Sequence, residues 1–268
     1  MALPEPAESS TALITGASSG IGEAIARQLA ERGHGVTLVA RREDRLRSLA
    51  DELTERFDVR AEAIGADLED EAARADLPRR IEELGLHVEV LVNNAGFGGG
   101  EYFARTERER LVSMVEVNCV ALLHLQAVYL PQMVERGQGA IINIASTSAF
   151  QPLPGAATYA ATKAFVLSLS EAVHEELKGT GVTLTAICPG PVKTEFTEAA
   201  GLAGADEQVP GLLWMSAESV AKAAVEAVDD GKRATIPGLL NRAGALTGQH
   251  APRMFALPIA KRVWRRAL

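Results

Sequence analysis

Three side chains suited to acid–base chemistry stand close together in this sequence. Tyr159 and Lys163 are four residues apart in YAATK, and Ser146 lies thirteen residues before the tyrosine. Positions i and i+4 of a helix share one face, so a phenol and an ammonium group would point into the same cleft. A free tyrosine has a pKa of about 10, which a nearby positive charge lowers. We therefore expect Lys163 to make Tyr159 an effective proton donor near neutral pH.

A glycine-rich turn indicates what this chemistry acts with. Gly16, Gly20 and Gly22 follow the apolar run TALIT and precede an amphipathic segment. Glycine permits a tight turn and a close approach to a pyrophosphate, which the next helix N-terminus attracts. The spacing is G-x-x-x-G-x-G, and no Lys-Ser or Lys-Thr follows, so the turn is not a P-loop. It predicts a dinucleotide site; the alternative is a turn with only structural duties.

Apolar runs of strand length alternate with amphipathic runs of helix length. The predicted strands are Thr11–Thr15, Val36–Ala40, Val59–Ile64, Val88–Val92, Ala140–Ala145, Val182–Ile187 and Ala234–Ile236. The predicted helices cover about 21–32, 43–57, a stretch ending near 84, 106–134 with a bend before Pro131, 158–178 and 217–229. This alternation predicts an α/β fold with a single Rossmann-like doubly wound parallel sheet of about seven strands and helices on both faces.

Polar motifs follow five of these strands. They are the glycine turn, Asp67, the segment Asn93-Asn94-Ala95-Gly96, Ser146 and Pro189-Gly190. Ligands of such sheets bind beyond the carboxyl ends of the strands, so the motifs should meet at one edge.

With 268 residues, 47% of them hydrophobic, the chain can bury the core of one large domain. We divide the chain into a flexible arm (1–10), a main domain (11–236) that carries these motifs and is expected to be catalytic, and a basic extension (237–268).

The order of these motifs resembles the short-chain dehydrogenase/reductase family of the single-domain, NADP-preferring type. The matching segments are TGASSGIG (15–22), ADL (66–68), NNAG (93–96), Asn118, Ser146, YAATK (159–163) and PGPVKT (189–194). The resemblance implies that Tyr159 gives or takes the substrate proton and that Lys163 binds the nicotinamide ribose. It also implies that Ser146 binds the substrate carbonyl and that Asn118 anchors a water of a proton relay. The alternative for Asn118 is a helix residue bonded to the backbone.

The resemblance and the strand ends together give a full set of expected contacts. The coenzyme set is Gly16, Ser18, Ser19, Gly20, Ile21, Gly22, Asp67, Leu68, Asn94, Ala95, Gly96, Tyr159, Lys163, Pro189, Gly190, Val192 and Thr194, together with Arg41 and Arg42. The expected substrate contacts are Ser146 and the apolar residues Phe97, Phe150, Leu153, Phe196, Trp214 and Met215. The resemblance also implies that about 193–215, within the catalytic domain, form a substrate lid, which we expect to be poorly ordered without ligand.

The end of the second predicted strand indicates which coenzyme is used. A strand that serves NAD often ends with an acid that binds the ribose 2′-hydroxyl. Here Ala40 is followed by Arg41 and Arg42, and an arginine can pair bidentately with a 2′-phosphate. We therefore predict NADP, with NADPH preferred over NADH, Arg41 as the main contact and Arg42 as a helper. The alternative is that these arginines pair with Glu43, Asp44 or solvent.

Charge and cysteine usage limit the classes of partner. Cys119 and Cys188 lie far apart without metal-ligand spacing, so we expect no metal site and a cytoplasmic location. Residues 232–268 carry eight Lys or Arg and no acid, and the remaining residues carry 19 basic and 35 acidic side chains, a formal charge of −16. Such an acidic body disfavours nucleic acid. The uncharged stretch 117–134 is too polar for a membrane span, so we expect no transmembrane helix.

The basic tail has two interpretations. RMFALPIAKRVWRRAL, residues 253–268, mixes apolar residues with five positive charges. It could be a helix that lies on an anionic membrane surface or an acidic partner. It could instead pack on its own subunit or a neighbour, which we favour because Pro252 and Pro258 interrupt the pattern.

Together these features predict an NADP(H)-dependent enzyme that acts on CH–OH groups, reducing an apolar small-molecule ketone or aldehyde. The resemblance implies a homodimer or homotetramer built on the helices at 106–134 and 158–178. An alternative within the family is a 3-oxoacyl thioester reductase. An alternative of another class is a non-catalytic dinucleotide-binding sensor or interaction protein, which would not need Ser146, Tyr159 and Lys163 together.

Overall fold

The predicted Rossmann-like fold is confirmed by a computed structural model, which describes residues 3–196 and 210–267. Seven parallel strands form one sheet in the order β3-β2-β1-β4-β5-β6-β7. The strands are β1 Ser10–Thr15, β2 Val36–Ala40, β3 Ala61–Gly65, β4 His87–Asn93, β5 Gly139–Ile144, β6 Val182–Ile187 and β7 Ala234–Thr235. Because β1 pairs with both β2 and β4, the strand order reverses there, and the carboxyl ends flank a crevice.

Helices cover both faces of the sheet. They are α1 Gly20–Glu31, α2 Glu43–Phe57, α3 Glu71–Glu83, α4 Arg108–Val115, α5 Leu122–Arg136, α6 Ala157–Glu176, α7 Ala217–Asp229, α8 Leu239–His250 and α9 Arg253–Ala267. A π-helical turn, Glu116–Ala121, joins α4 to α5 without a break in the helix. Turns of this kind are frequent at functional sites, and this one carries Asn118.

Side chains that alternate along the strands build a core on each face. In β5, for example, Ile142 and Ile144 belong to the cluster with α1, α2 and α7, whereas Ile141 belongs to the cluster with α3 and α5. The period of two follows from the pleat of the strand. Both faces are apolar because both are covered by helices, which explains the near-continuous hydrophobic runs of the sequence.

Several element boundaries differ from the sequence predictions. The third strand begins at Ala61 rather than Val59, because its ladder with β2 starts where Ala61 pairs with Val36. In the long helical region, the irregular turn is the π-helical segment and lies upstream of Pro131, which sits inside α5.

The N-terminal arm is anchored where the structure describes it. Leu3 is 8% exposed and packs in the cluster of the α1 and α2 face, and Ser10 already belongs to β1. An apolar side chain near the start of the chain therefore has a place in the core, and the extent and mobility of the predicted flexible arm (1–10) remain predictions.

The basic extension is helical. It forms α8 and α9, and Pro258 lies inside α9 while Pro252 immediately precedes that helix. Pro258 thus does not end the helix, and the choice between the two interpretations of the tail remains a prediction. The predicted lid covers 193–215, of which 197–209 lie outside the described residues, so its order remains a prediction.

Arg108–Arg136 is long and apolar enough to cross a membrane by length and composition, and among the described residues it is the one helix that passes this test. Its polar residues Asn118 and Gln126 are buried and hydrogen-bonded to side chains of α6 and β5, respectively. A core helix of a soluble protein passes the same test, so the predicted absence of a transmembrane helix stays a prediction.

Candidate active site

Ser146 and Tyr159 meet at the carboxyl end of β5. Ser146 follows this strand and caps a short 3-10 turn, Thr147–Phe150, where its Oγ accepts a hydrogen bond from the Ser148 amide at 3.1 Å. Tyr159 lies in the first turn of α6, with its phenol close enough to the Ser146 side chain for that side chain to lower the phenol pKa. Two hydroxyl groups from separate elements therefore face one point, as the binding of a single carbonyl oxygen requires.

Lys163 lies one helical turn after Tyr159. Its side chain is buried, its Nζ donates a hydrogen bond to the Ile144 carbonyl oxygen at 2.8 Å, and the same atom lies 5.9 Å from the centre of the Tyr159 ring. The four-residue spacing thus brings the cation beside the phenol, in the arrangement that the sequence predicts. The carbonyl oxygen at the end of β5 fixes the lysine there.

The pKa of Tyr159 is raised in this structure, whereas the sequence analysis predicts that it is lowered. Burial raises the pKa of Tyr159 to about 12, and the hydrogen bond with Ser146 opposes this rise only in part. Burial also lowers the pKa of Lys163 to about 8, because an ammonium group loses its hydration here. The expected lowering of the Tyr159 pKa is therefore wrong for this structure, since desolvation dominates and Lys163 is not among the groups that shift this pKa. At neutral pH the phenol is protonated and can serve as a proton donor.

Asn118 ties the loop after β4 to the catalytic helix. Its Oδ1 accepts from the Phe97 amide, and its Nδ2 donates to the Phe97 carbonyl and to Thr162 Oγ1, each at 3.0 Å. Both amide protons are thus used within the protein. This is the backbone-bonded alternative for the Asn118 side chain, and the proton relay remains a prediction.

The glycine turn forms a cradle at the end of β1. Gly16 and Gly20 have φ angles of +65° and +64°, a conformation that other residues rarely adopt. A Cβ atom at Gly22 would lie 2.4 Å from Asn94 Nδ2 and 2.6 Å from the Gly16 oxygen, so only glycine fits. Ser19 precedes α1 without a side-chain cap, which leaves the amides of the first turn available to an anion.

Residues that directly follow β4 support this cradle. Asn94 Nδ2 donates to the carbonyl oxygens of Thr15 and Gly16, and the amides of Asn94 and Ala95 both donate to Thr15 Oγ1 at 3.0 Å. A Cβ atom at Gly96 would lie 2.9 Å from Asn118 Oδ1, so this loop also packs against the catalytic side. The hydroxyl of Thr15 thus joins the glycine turn to the segment after β4, a contact that the sequence analysis did not predict.

The turn after β3 is held by a buried arginine. Asp67 is exposed, and its Oδ1 accepts from the Glu69 amide, while Leu68 is buried. Arg74, which the sequence analysis did not single out, donates to the carbonyl oxygens of Leu68 and Glu69 at 2.7 Å and contacts Glu116 of the π-helical turn at 3.4 Å. One guanidinium group thus joins the turn after β3 to the π-helical segment that carries Asn118.

The two predicted phosphate contacts differ in their surroundings. Arg42 donates to Ser18 Oγ and Ser19 Oγ of the glycine turn, at 2.9 and 2.8 Å, and its Nη1 lies 2.7 Å from a carboxylate oxygen of Glu195. Arg41 is exposed. Arg42 therefore has the closer connection to the cradle, and neither arginine pairs with Glu43 or Asp44 in the part of the chain described.

The segment after β6 closes the site from the other side. Val192 pairs with Met215, and the Lys193 amide donates to the Met215 carbonyl oxygen at 3.0 Å. An added Cβ at Gly20 would lie 3.0 Å from Thr194 Cγ2, so Thr194 packs on the glycine turn. Pro189 follows β6 directly. Gly190 is close to Asn241 of α8, whose amide oxygen would lie 2.3 Å from a Cβ atom there.

The predicted substrate residues differ in what they contact. The Phe196 ring is 5.7 Å from the Tyr159 ring, and Leu153 packs in a small apolar cluster with Tyr159. Phe97 is held by Asn118, and Trp214 precedes Met215 in the pairing with Val192. Phe150 and Leu153 also line a cavity of about 460 Å³ beside α6, which neither Ser146 nor Tyr159 lines.

The residues present fit a dinucleotide. The positive-φ glycines, the uncapped start of α1 and the strand ends at the switch point form a cradle in which side chains would collide. The glycine turn would hold the pyrophosphate, the turn at Asp67 and Leu68 the adenine, and Lys163 the nicotinamide ribose. No group of three or more metal-ligating side chains occurs among the residues the structure describes.

Comparison with known proteins identifies the family. Residues 10–203 match the short chain dehydrogenase family. A solved short-chain dehydrogenase from Sphingobium yanoikuyae, in complex with NADPH, is 38% identical with a TM-score of 0.79, over 89% of this chain and 92% of that one. An NADP-dependent 3-hydroxy acid dehydrogenase of Salmonella typhi is 41% identical over 192 residues, 69% of this chain and 74% of that protein. A very-long-chain 3-oxoacyl-CoA reductase of Bos taurus is 36% identical over 193 residues, 70% of this chain and 61% of that protein. The matched region contains the glycine turn and all four predicted catalytic residues, and the chain belongs to the short-chain dehydrogenase/reductase family.

Proposed function

We propose that this protein reduces an apolar ketone or aldehyde to an alcohol with NADPH. The observation that carries the proposal is the meeting of the Ser146 and Tyr159 hydroxyls beside Lys163, at the same sheet edge as the glycine cradle. A non-catalytic dinucleotide-binding protein would need the cradle but not this group of three side chains.

The side chains divide the work of a reduction. Ser146 and Tyr159 bind the carbonyl oxygen and stabilise the negative charge that develops on it. NADPH, when bound in the cradle, would supply the hydride for the new C–H bond. Tyr159 gives its proton to the oxygen, which completes the alcohol, and Lys163 stabilises the phenolate that remains. The protonated phenol found at neutral pH suits this direction of the reaction.

Two features support NADP over NAD. No acid ends β2, and Arg42 is bound to both serines of the glycine turn. The relatives from Sphingobium yanoikuyae and Salmonella typhi are described with NADPH and as NADP-dependent. A guanidinium group at this place matches the 2′-phosphate, which NAD lacks.

A second candidate within the same chemistry is a 3-oxoacyl thioester. The bovine relative is a very-long-chain 3-oxoacyl-CoA reductase. The apolar residues Leu153 and Phe196 beside Tyr159 would accept the acyl chain as well as an apolar ketone. The two kinds of substrate share the reacting carbonyl and differ in the rest of the molecule. Assays with both kinds of compound therefore decide between them.

For the assembly, we propose a homodimer or homotetramer. Apolar side chains on the α4–α5 region and on α6 are exposed, with Leu123 at 45% and Phe165 at 40%. Contact with a second copy would cover them. Sedimentation at several protein concentrations tests this, and a single monomeric species would contradict it. The cytoplasmic location remains a prediction.

The test of the function is NADPH oxidation against a panel of carbonyl compounds. The panel should hold apolar ketones, aldehydes and 3-oxoacyl thioesters of increasing chain length, each assayed with NADPH and NADH. We expect turnover with NADPH, and loss of turnover with retained NADPH binding in Tyr159→Phe. Tight NADPH binding without turnover across the panel would instead favour a sensor, and equal use of NADH would refute the coenzyme preference.

A further inference from the structure

Three consecutive residues cross the candidate site from the coenzyme side to the catalytic side. Thr194 packs on the glycine turn, Glu195 pairs with arginines next to that turn, and the Phe196 ring lies beside Tyr159. The middle residue is an acid in a place where the proposed coenzyme brings its own negative charge. Its contacts therefore bear on coenzyme choice.

The Glu195 carboxylate uses both oxygens on arginines. Oε2 lies 2.7 Å from Arg42 Nη1, and Oε1 lies 2.7 Å from Arg45 Nη1. The two ion pairs hold the pKa of Glu195 down, to about 2. The carboxylate is thus ionised throughout the pH range in which an enzyme is assayed, and pH change cannot remove its charge.

Arg42 joins this ion pair to the coenzyme cradle. Its Nε and Nη2 atoms are bound to Ser18 Oγ and Ser19 Oγ, while its Nη1 is bound to Glu195. The guanidinium group therefore stands at the rim of the glycine turn with one edge given to an internal anion. A phosphate that uses Arg42 must share that edge with the carboxylate or displace it.

We propose that Glu195 is a specificity-determining residue that competes with the 2′-phosphate of NADP for Arg42 and Arg45. This inference rests on the proposed function. The sequence predicts Arg41 and Arg42 as contacts of the 2′-phosphate. We add Arg45, in the first turn of α2, as a third. NADH lacks the 2′-phosphate, so Glu195 penalises NADPH alone and narrows the preference between the two coenzymes.

The competition is of a size that the coenzyme can overcome. The side chains of Arg42, Arg45 and Glu195 are all between 42% and 48% exposed, and exposed ion pairs contribute little stability because water screens them. A 2′-phosphate carries more charge than a carboxylate and offers three oxygens to the same donors. Glu195 therefore weakens NADPH binding without preventing it.

The experiment compares Glu195→Gln with wild type by fluorescence titration of NADPH and NADH. Glutamine keeps the size of the side chain and removes its charge. We expect the dissociation constant for NADPH to fall by about threefold to tenfold, and that for NADH to change by less than about twofold. The effect should shrink at high salt, since both interactions are between exposed charges.

Glu55→Gln is the matched control. This variant also removes one negative charge, at a residue of α2 that makes no ion pair with any residue in the described part of the chain. We expect it to leave both dissociation constants within about twofold of wild type. A gain for NADPH as large as that of Glu195→Gln would reduce the effect to net charge and overturn the proposal.

Other outcomes separate this inference from the proposed function. If wild type binds NADPH but Glu195→Gln leaves the ratio of the two dissociation constants unchanged, the competition is refuted while the function stands. If Glu195→Gln weakens NADPH binding, Glu195 positions the arginines for the phosphate instead, which is the opposite role. If wild type binds neither coenzyme, the proposed function fails and this inference fails with it.

Discussion

Replacing Lys163 with methionine should stabilise the fold while removing the catalytic ammonium group. Lys163 is 5% exposed, and burial lowers its pKa from 10.5 to about 8. The unfolded chain therefore binds this proton more tightly than the folded protein does, which costs about 3 kcal/mol of stability at neutral pH. Methionine removes this cost but also loses the hydrogen bond to the Ile144 carbonyl, an opposing effect of about 1–2 kcal/mol. We expect the variant to be more stable by about 1–2 kcal/mol at neutral pH.

The pH dependence gives this prediction its sharpest form. The pKa of Lys163 is lower in the folded protein than in the unfolded chain. The free energy of unfolding of wild type is therefore reduced below about pH 8, and it rises as the pH increases toward 10.5. Methionine does not titrate. The advantage of the variant should therefore shrink by roughly 2–3 kcal/mol between about pH 7 and pH 10, and its sign should reverse.

The assay is equilibrium unfolding in urea at equal protein concentration, at both pH values. Lys222→Met is the matched control, because Lys222 is 69% exposed and its nearest carboxylate oxygen, of Glu226, is 3.9 Å away. We expect the control to change the free energy of unfolding by less than about 0.5 kcal/mol at either pH. A Lys163→Met variant whose difference from wild type is the same at both pH values would refute the desolvation of Lys163.

Two further predictions concern the phenol and the cradle. Tyr159 should stay protonated to about pH 12 in the protein without coenzyme. The phenolate absorbance that wild type shows and Tyr159→Phe lacks should therefore appear only near that pH. Ionisation of Tyr159 near neutral pH would contradict this prediction. Gly22→Ala should lose NADPH binding by tenfold or more (an order-of-magnitude figure) with the fold retained by circular dichroism, because the new Cβ would displace Asn94 and the Gly16 carbonyl; unchanged binding would show that the cradle is not used. Gly244→Ala, where an added Cβ meets nothing within 4 Å, is the control and should leave binding unchanged.

The elements that position the site were predictable because both faces of the sheet are buried. Each predicted strand is a short apolar run, and parallel strands place their carboxyl ends at one edge whatever the details of packing. For this reason Ser146, after β5, could be placed near the glycine turn, after β1, from the sequence alone. The four-residue spacing of Tyr159 and Lys163 needed only the periodicity of a helix.

What the sequence did not predict depends on distant pairs and on burial. The contact of Glu195 with Arg42 joins residues 153 positions apart, and nothing local signals it. The π-helical turn around Asn118 and the Arg74 contacts also depend on tertiary packing. The pKa of Tyr159 was predicted in the wrong direction because charge spacing can be read from a sequence whereas desolvation cannot.

The central claim is that the Tyr159 phenol protonates a carbonyl oxygen as a hydride arrives at the carbonyl carbon. The most direct measurement is transfer of deuterium from NADPH labelled at C4, with each stereoisomer tested separately on a substrate found in the screen. Wild type should give an alcohol that carries one deuterium on the carbinol carbon from one of the two isomers. Tyr159→Phe should still bind the labelled NADPH and give no labelled alcohol. Labelled alcohol from Tyr159→Phe at the wild-type rate would contradict the account.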